Sequence, residues 1–204
     1  MKNIDNLIEE LHLDNQLLLE EMPDLGLYMD QVIQIFENKL QQSKRNEEDK
    51  VLTKTMINNY AKGKLFFPIQ NKKYSKKHLV LISLIYQLKG ALSINDIKIT
   101  LDKLNGKITN DDFNVEKIYS SDLKLSEFNI ERFTGDTKDA REEVAREVSE
   151  LQDEDSEYLE QLLLIASLVN MSNLYRKLAE KLVDNLPREI EVKEKVKENK
   201  KKDS

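Results

Sequence analysis

The sequence predicts a mainly α-helical protein, and three observations support that fold class. Only five glycines and three prolines occur in 204 residues, which leaves little turn chemistry for a fold rich in β-hairpins. Leucine, lysine and glutamate, all good helix formers, are abundant. Apolar residues recur at helical spacing, as in Val32, Phe36 and Leu40. A hydrophobic content of 39% is enough to build a core.

Composition also excludes several classes of function. The chain has no cysteine, which rules out disulfides, zinc–thiolate sites and cysteine nucleophiles and suits a reducing compartment. No apolar run approaches the roughly 18 residues that a membrane helix needs. The N-terminus scatters acids among its leucines, unlike a secretory signal. We therefore expect a cytoplasmic protein without membrane contact.

Charge is distributed unevenly along the chain. Residues 50–107 carry 12 lysines against two acids, Asp96 and Asp102, which gives this segment a net charge of +10, whereas the whole chain has −6. A basic segment inside an acidic protein is typical of a surface that meets a polyanion. The alternative is a lysine-rich surface that serves only solvation.

Residues 1–50 are predicted to form N-terminal helices that complete the basic module. Helical spacing indicates one helix at Asn3–His12 and a second at Asp24–Gln42, with Pro23 at the start of the second. Residues 43–50 are wholly polar and charged, which predicts a loop or an exposed helix end.

The basic module, residues 51–107, is predicted to be a winged helix-turn-helix. Thr53 caps a short helix that runs to Ala61, and Gly63 supplies a left-handed C-terminal cap. Residues 65–74 place two apolar ends around a polar tip, as a small β-wing does. Two further helices complete the module, Ser75–Gly90 and Ser93–Leu104, the latter terminated by Gly106.

A connector, a helical segment and a tail are predicted for the remainder. Residues 108–137 lack a clear period and include Gly135, which predicts an irregular connector with short helices. The C-terminal helical segment, residues 138–186, holds two predicted helices, Lys138–Leu151 and Ser156–Asn185. Residues 187–204 are highly charged, which predicts a disordered tail.

The segment Leu52–Leu101 resembles the winged-helix DNA-binding domain of the MerR family of transcription regulators. The resemblance lies in the order and spacing of four motifs, MINNY, GKLFFP, YSKKHL and SINDIK, which begin at Met56, Gly63, Tyr74 and Ser93. It covers about a quarter of the chain. The whole chain also looks like the bacterial family known as domain of unknown function 1836, for which the resemblance implies no established activity.

The MerR resemblance implies a DNA-binding surface. The helix that follows Thr53 would enter the major groove, where Asn58 and Asn59 can pair with adenine edges. The predicted wing carries lysines where that family has arginines, so phosphate contact is better supported than base recognition. The candidate DNA-binding residues are Lys54, Thr55, Asn58, Asn59, Tyr60, Lys62, Lys64, Lys72, Lys73, Lys76 and Lys77.

Several of these residues have a purely structural alternative. Asn58 and Asn59 can belong to a solvated helix face, and Tyr60 can be a core residue with a wet hydroxyl. His78 is expected at the surface, and neither it nor His12 has a partner at metal-binding spacing.

The last predicted helix carries apolar residues on two faces. One is a stripe able to pack against a partner helix, formed by Leu164, Leu168, Met171, Tyr175, Leu178 and Leu182. The other, formed by Leu159, Leu162, Leu163, Ile165 and Val169, suits burial within one chain. MerR-like regulators are dimers, so the resemblance implies a homodimer through this helix, and both uses stay open.

The leading hypothesis is a sequence-specific DNA-binding transcriptional regulator. The alternative is a protein-interaction or scaffold module on a winged-helix fold without DNA binding. A small-molecule sensor, with an unidentified effector held by Tyr119, Phe128, Phe133 and the C-terminal helices, is compatible with the first hypothesis. No enzyme, catalytic residue, metal site or cofactor is predicted, because the chain has two histidines and no Gly-rich phosphate loop.

Overall fold

The computed structural model describes residues 3–109 and 113–187, and α-helices account for most of that part of the chain. They are α1 (Ile4–Glu9), α2 (Met29–Leu40), α3 (Lys54–Lys62), α4 (Lys76–Leu88), α5 (Ile94–Ile108), α6 (Val115–Leu151) and α7 (Ser156–Asp184). Short 3-10 turns lie at Leu19–Glu21 and Gln41–Ser43. The mainly α-helical fold class is confirmed. None of the described helices is long and apolar enough to cross a membrane.

The main core lies among α2, α3, α4 and α5, with α4 at its centre. Leu79, Leu81, Ile82 and Ile85 of α4 are all fully buried, and Val80 between them is buried as well. A helix that is apolar around its whole circumference has to be enclosed by other elements, which explains the central position of α4. The N-terminal end of α6 and the C-terminal end of α7 also contact this core, through residues such as Tyr119 and Val183.

The helices α6 and α7, joined by residues 152–155, form a helical hairpin that extends from the main core. Gln152 adopts a left-handed conformation with φ 51° and ends α6. A small second cluster joins Val144 and Val148 of α6, Leu164 of α7 and Ile4 of α1. The hairpin is therefore covered near its turn by the short helix α1.

Three predicted helix starts are confirmed by their caps. The Thr53 side chain accepts a hydrogen bond from the Met56 backbone N–H at 3.1 Å, and Ser93 accepts one from Asp96 N–H at 3.1 Å. Ser75 begins α4 with a capping box that it shares with His78. The predicted boundaries of α7 agree with the structure to within one residue.

The N-terminal helices are shorter than predicted. Helix α1 ends at Glu9 rather than His12, which has φ 47°. Helix α2 starts at Met29, because Leu27 is extended and exchanges two backbone hydrogen bonds with Tyr74 at 2.9 and 2.8 Å. Pro23 therefore does not start this helix.

Residues 65–74 do not form the predicted β-wing. No strand occurs in residues 3–109 or 113–187, and this segment contributes only isolated bridges, Gln70 with Lys73 and Tyr74 with Leu27. Asn71 and Lys72 have φ values of 50° and 59°, which make a tight turn with the polar tip at its apex. The pairing is too short to count as a hairpin.

Gly63 follows α3 as predicted, but for a different reason. Its φ is −70°, and the left-handed residue is Lys64, with φ 57°. A Cβ atom at Gly63 would lie 2.6 Å from Leu65 Cδ1 and 3.1 Å from the Asn59 carbonyl oxygen. Glycine is needed here because Leu65 and the Asn59 carbonyl group fill the space that a side chain would occupy.

The predicted irregular connector at residues 108–137 is wrong, because α6 is continuous from Val115 and passes through Gly135. Gly106 likewise lies inside α5 and does not end it. A single glycine costs a helix about 1 kcal/mol, which burial of other side chains on the same helix, such as Ile108 of α5 and Val148 of α6, offsets. The predicted tail from residue 188 onward lies outside the described residues.

Candidate nucleic-acid interface

The loop between α2 and α3 sets the position of α3. Glu37 of α2 accepts hydrogen bonds from the Val51 backbone N–H, at 3.2 Å, and from Lys44 Nζ. From the other side, Lys89 Nζ at the end of α4 donates to the Val51 carbonyl oxygen at 3.2 Å. The polar stretch 43–50 is thus tied to two helices. This explains how α3 stays ordered at the end of a charged loop.

These contacts shift the pKa values of Glu37 and Lys89. Burial by itself would raise the pKa of Glu37, but the hydrogen bonds from Lys44 and from the Val51 N–H lower it below the ordinary value. Burial lowers the pKa of Lys89. Both shifts arise from packing of the loop, and we assign these groups a structural role.

Helix α3 turns its polar face to solvent. Lys54, Thr55, Asn58, Asn59 and Lys62 are all exposed. Ile57 is fully buried in the main core.

Tyr60 is an exception among the candidate DNA-binding residues. It is only 3% exposed and belongs to the main core, and burial raises the pKa of its hydroxyl. Its assignment as a DNA contact is corrected, because helical spacing places it beside Ile57 on the inward face. Tyr60 is a core residue, as its structural alternative predicted, and its side chain is almost wholly buried.

The turn at residues 70–73 presents exposed lysines next to the segment that leads into α2. Lys72 and Lys73 are exposed, and Lys73 Nζ lies 5.6 Å from the centre of the Tyr28 ring. Close approach at this point requires Gly26, where a Cβ atom would lie 2.9 Å from Lys73 Cδ. The turn therefore packs on the segment that leads into α2.

An ion pair connects the start of α2 to α3. The carboxylate of Asp30, two residues after Tyr28, lies 2.8 Å from Lys54 Nζ. Tyr28 is 56% exposed and contacts Lys73 of the turn. We call the combined area, made of the exposed face of α3, Tyr28 and the turn 70–73, the α3–turn surface. Sequence reasoning missed Tyr28, because only the long-range pairing of Leu27 with Tyr74 places it there.

The remaining candidate lysines differ in availability. Lys64 is exposed next to the end of α3, whereas Lys77 is half-buried. Lys76 Nζ lies 3.3 Å from the Glu116 carboxylate, with 19% of its side chain exposed. Lys76 is therefore already partly neutralised within the protein.

His78 is buried, which corrects its predicted surface position. It is 3% exposed and sits among the rings of Phe66, Phe67 and Tyr74. Its Nδ1 accepts a hydrogen bond from the Ser75 N–H at 3.1 Å, and its Nε2 donates to the Phe67 carbonyl oxygen at 3.2 Å. Burial lowers the pKa of His78 to about 4. The neutral ring therefore links Phe67, before the turn 70–73, to Ser75, after it.

A cleft of about 590 Å³ separates the middle of α6 from α7. Phe133 lines it, but Phe128 and Tyr119, predicted with it as effector contacts, do not. Phe128 lies on the surface beside Arg132, and the Tyr119 hydroxyl donates to the Leu17 carbonyl oxygen at 2.7 Å. Residues 3–109 and 113–187 contain no group of three His, Cys, Asp or Glu that is placed to hold a metal ion.

The fold and the α3–turn surface define a helical protein that presents a short polar helix beside a basic turn. Comparison with protein families matches residues 17–121, about half of the chain, to the family described as Domain of unknown function (DUF1836). The chain belongs to this family. The match covers α2 to α5 and the first turns of α6, and leaves most of the helical hairpin outside. No curated protein and no solved structure matches the chain.

Proposed function

We propose that this protein is a sequence-specific DNA-binding transcriptional regulator that uses its basic module in the manner of a MerR-like helix-turn-helix, with the turn 70–73 in the place of a β-wing. The observation that supports the proposal is the α3–turn surface. It consists of the exposed Asn58 and Asn59 of α3 and the exposed Lys72 and Lys73 of the turn, and both elements contact the start of α2, α3 through the Lys54–Asp30 ion pair and the turn through Lys73 and Tyr28. Helix α3 would enter the major groove, and the turn would contact the flanking backbone.

The residues of this surface have the chemistry that DNA contact requires. An asparagine side chain can both donate to and accept from an adenine edge, which suits Asn58 and Asn59 for base recognition. The lysines and the Thr55 hydroxyl are suited to phosphates, which fix the position of the protein along the duplex. The phosphate-contact set is Lys54, Thr55, Lys62, Lys64, Lys72, Lys73 and Lys77.

The ion pair of Lys54 with Asp30 is compatible with this role. Both side chains are well exposed, at 66% and 72%, and exposed pairs contribute little to stability. A phosphate can therefore replace Asp30 as the partner of Lys54 at small cost. Tyr28, next to this pair, offers an aromatic face and a hydroxyl to the DNA backbone.

The salt dependence of binding to a random duplex tests phosphate contact. Each phosphate contact should contribute about 0.9 to the slope of log K against log salt concentration. Replacing both Lys72 and Lys73 with alanine should reduce that slope by about 2. The matched control replaces Lys124 and Lys177, two exposed lysines of the helical hairpin, and removes the same charge. Equal effects of the two double variants would contradict the proposed surface.

Sequence specificity is tested by selection of genomic fragments and sequencing. We expect the protein to enrich a defined sequence and the variant Asn58→Ala to lose that enrichment while keeping most of its binding to random DNA. No binding to any duplex at low salt would overturn the proposal. These DNA-binding experiments do not test the predicted cytoplasmic location or the expected lack of catalysis.

A protein-interaction or scaffold module without DNA binding is the second candidate. The observation that favours it is the large number of exposed apolar side chains on α6 and α7, among them Leu125, Phe128 and Leu178. Exposed apolar patches of this kind mark interaction surfaces. Stable capture of a partner protein together with a lack of DNA binding would favour this candidate.

A further inference from the structure

Four buried side-chain oxygens in residues 3–109 and 113–187 lack a hydrogen-bond partner. They are Gln16 Oε1, Ser83 Oγ, Asn105 Oδ1 and Asp122 Oδ2. Buried polar atoms are normally paired with protein, ordered water or an ion, so each exception needs an explanation. Asn105 lies apart on α5, where its amide nitrogen donates to the Leu65 and Leu101 carbonyl oxygens. The other three oxygens belong to segments that meet where α6 leaves the main core.

The N-terminal segment lies along one face of α6, the face that carries Tyr119, Asp122 and Ser126 at spacings of three and four. The Tyr119 hydroxyl donates to the Leu17 carbonyl oxygen at 2.7 Å. Farther along α6, Gln16 Nε2 donates to Ser126 Oγ. Asp122 lies between these two contacts, which therefore hold Gln16 against the part of α6 that carries Asp122.

Helix α4 contributes the third side of this junction. Ser83 is 6% exposed. Burial raises the pKa of the Tyr119 hydroxyl, and the nearby Ser83 hydroxyl opposes that rise. Burial likewise raises the pKa of Asp122, and a hydrogen bond from Gln87, one turn after Ser83, opposes the rise. Ser83 and Gln87 therefore lie beside the same face of α6, and we call Gln16, Ser83 and Asp122 the junction cluster.

Asp122 has no positive partner among the described residues. None of the ion pairs in residues 3–109 and 113–187 includes its carboxylate. Glu21, another acid that acts on Tyr119, is already paired with Lys39 at 2.7 Å. Burial of a carboxylate is costly unless its charge is paired, so Asp122 requires either a proton or a cation.

We propose that the junction cluster binds one monovalent metal cation, Na⁺ or K⁺, between Gln16 Oε1, Ser83 Oγ and Asp122 Oδ2. An amide carbonyl, a hydroxyl and a carboxylate are hard oxygen ligands, which suit hard cations. The single carboxylate balances a single positive charge. Dedicated Ca²⁺ sites combine several carboxylates, and the described residues contain no group of three His, Cys, Asp or Glu that is placed to hold a metal ion.

A water molecule explains the junction cluster less well than a cation. Water leaves the charge of Asp122 unbalanced, whereas a cation satisfies the three oxygens and the charge together. The three ligands come from the N-terminal segment, α4 and α6. A bound cation would therefore fasten the helical hairpin to the basic module.

Thermal denaturation in different chloride salts tests the proposal. The melting temperature should be higher by about 3–5 °C in NaCl or KCl than in choline chloride, all at about 0.15 M, as expected for a cation present at about ten times its dissociation constant. Choline has the same charge but is too large for a buried site, so a difference between the salts reports binding rather than screening. The salt that gives the higher melting temperature identifies the preferred cation.

Variants at the junction cluster show whether the difference arises there. Asp122→Asn removes the charge and keeps the shape of the side chain, so its melting temperature should be the same in all three salts. Ser83→Ala removes one neutral ligand and should reduce the difference. The matched control, Asp139→Asn, removes a charge from an exposed position on the same helix and should keep the difference in full.

The proposal fails if the wild-type chain melts at the same temperature in all three salts, or if Asp122→Asn keeps the difference between them. A high-resolution crystal structure in the preferred salt should show a cation coordinated by the three oxygens. A water molecule in its place, or a Gln16 amide nitrogen turned to donate to Asp122, would also overturn the proposal. None of these measurements includes DNA, so a failure here leaves the proposed DNA binding untouched.

Discussion

The basic module and the helical hairpin are stabilised in different ways. In the module, α4 is enclosed on all sides, and residues from α2, α3 and α5 such as Val32, Ile57 and Ile97 are fully buried with it. In the hairpin, only Leu164 and Val183 of the 29-residue α7 are buried. The module is built around the main core, whereas the hairpin has apolar surface that residues 3–109 and 113–187 leave exposed.

The difference indicates that the two regions have different roles. A helix such as α3 needs a rigid support if its exposed residues are to meet a ligand in a fixed geometry, and the main core supplies that support. An exposed hairpin has few buried contacts and should open locally at lower free energy than the module.

The largest expected effect comes from truncating a side chain of α4. The substitution Leu81→Ala removes a fully buried side chain and should lower the free energy of unfolding by about 3–4 kcal/mol. The matched substitution in the hairpin, Leu162→Ala, affects a residue that is 45% exposed and should cost less than about 1 kcal/mol. Urea denaturation of both variants measures the contrast, and comparable losses would show that the hairpin is packed as tightly as the module.

His78 makes the stability of the module depend on pH. Burial lowers its pKa from 6.5 to about 4, so the unfolded chain takes up the proton first as the pH falls. The contribution of His78 is therefore complete above about pH 6.5 and is lost as the pH falls from 6.5 to 4. The total loss over this range is about 3 kcal/mol.

Denaturation at several pH values measures this effect. The variant His78→Gln keeps a polar side chain at this position and should be less stable at pH 7, with a shallower decline toward pH 4. A wild-type profile as flat as that of His78→Gln would mean that the ring is not neutral in the folded state.

Sequence reasoning succeeds where the signal is local. Thr53 and Ser93 can be identified as caps because a cap needs only a side-chain oxygen next to the backbone N–H groups of its own helix. It fails where contacts between residues distant in the chain decide whether a side chain is buried or a helix continues. The burial of Tyr60 and His78 depends on elements distant in the chain, and the continuity of α6 through Gly135 depends on the packing of its other residues.

The α3–turn surface likewise has local features that the sequence predicts and long-range contacts that it does not. Its polar residues on α3 follow from helical spacing, and the lysines at the tip follow from the polar turn. The contact between the turn and Tyr28 could not be predicted, because it requires the pairing of Leu27 with Tyr74 across more than forty residues. The apolar ends of residues 65–74 predict strands, but aromatic packing around His78 holds this segment instead.

The smallest expected effects come from two glycine substitutions, and they should differ in sign. Gly135 lies inside α6, and a Cβ atom added there would have no neighbouring atom within 4 Å, so Gly135→Ala should stabilise the protein by about 0.5–1 kcal/mol through helix propensity. At Gly63 the same methyl group would lie 2.6 Å from Leu65 Cδ1, so Gly63→Ala should destabilise the module by about 1–2 kcal/mol. Thermal denaturation resolves differences of this size. If both variants raise the melting temperature, the space around Gly63 is less filled than its contacts indicate, and the contrast between a crowded module and an open hairpin fails at this position.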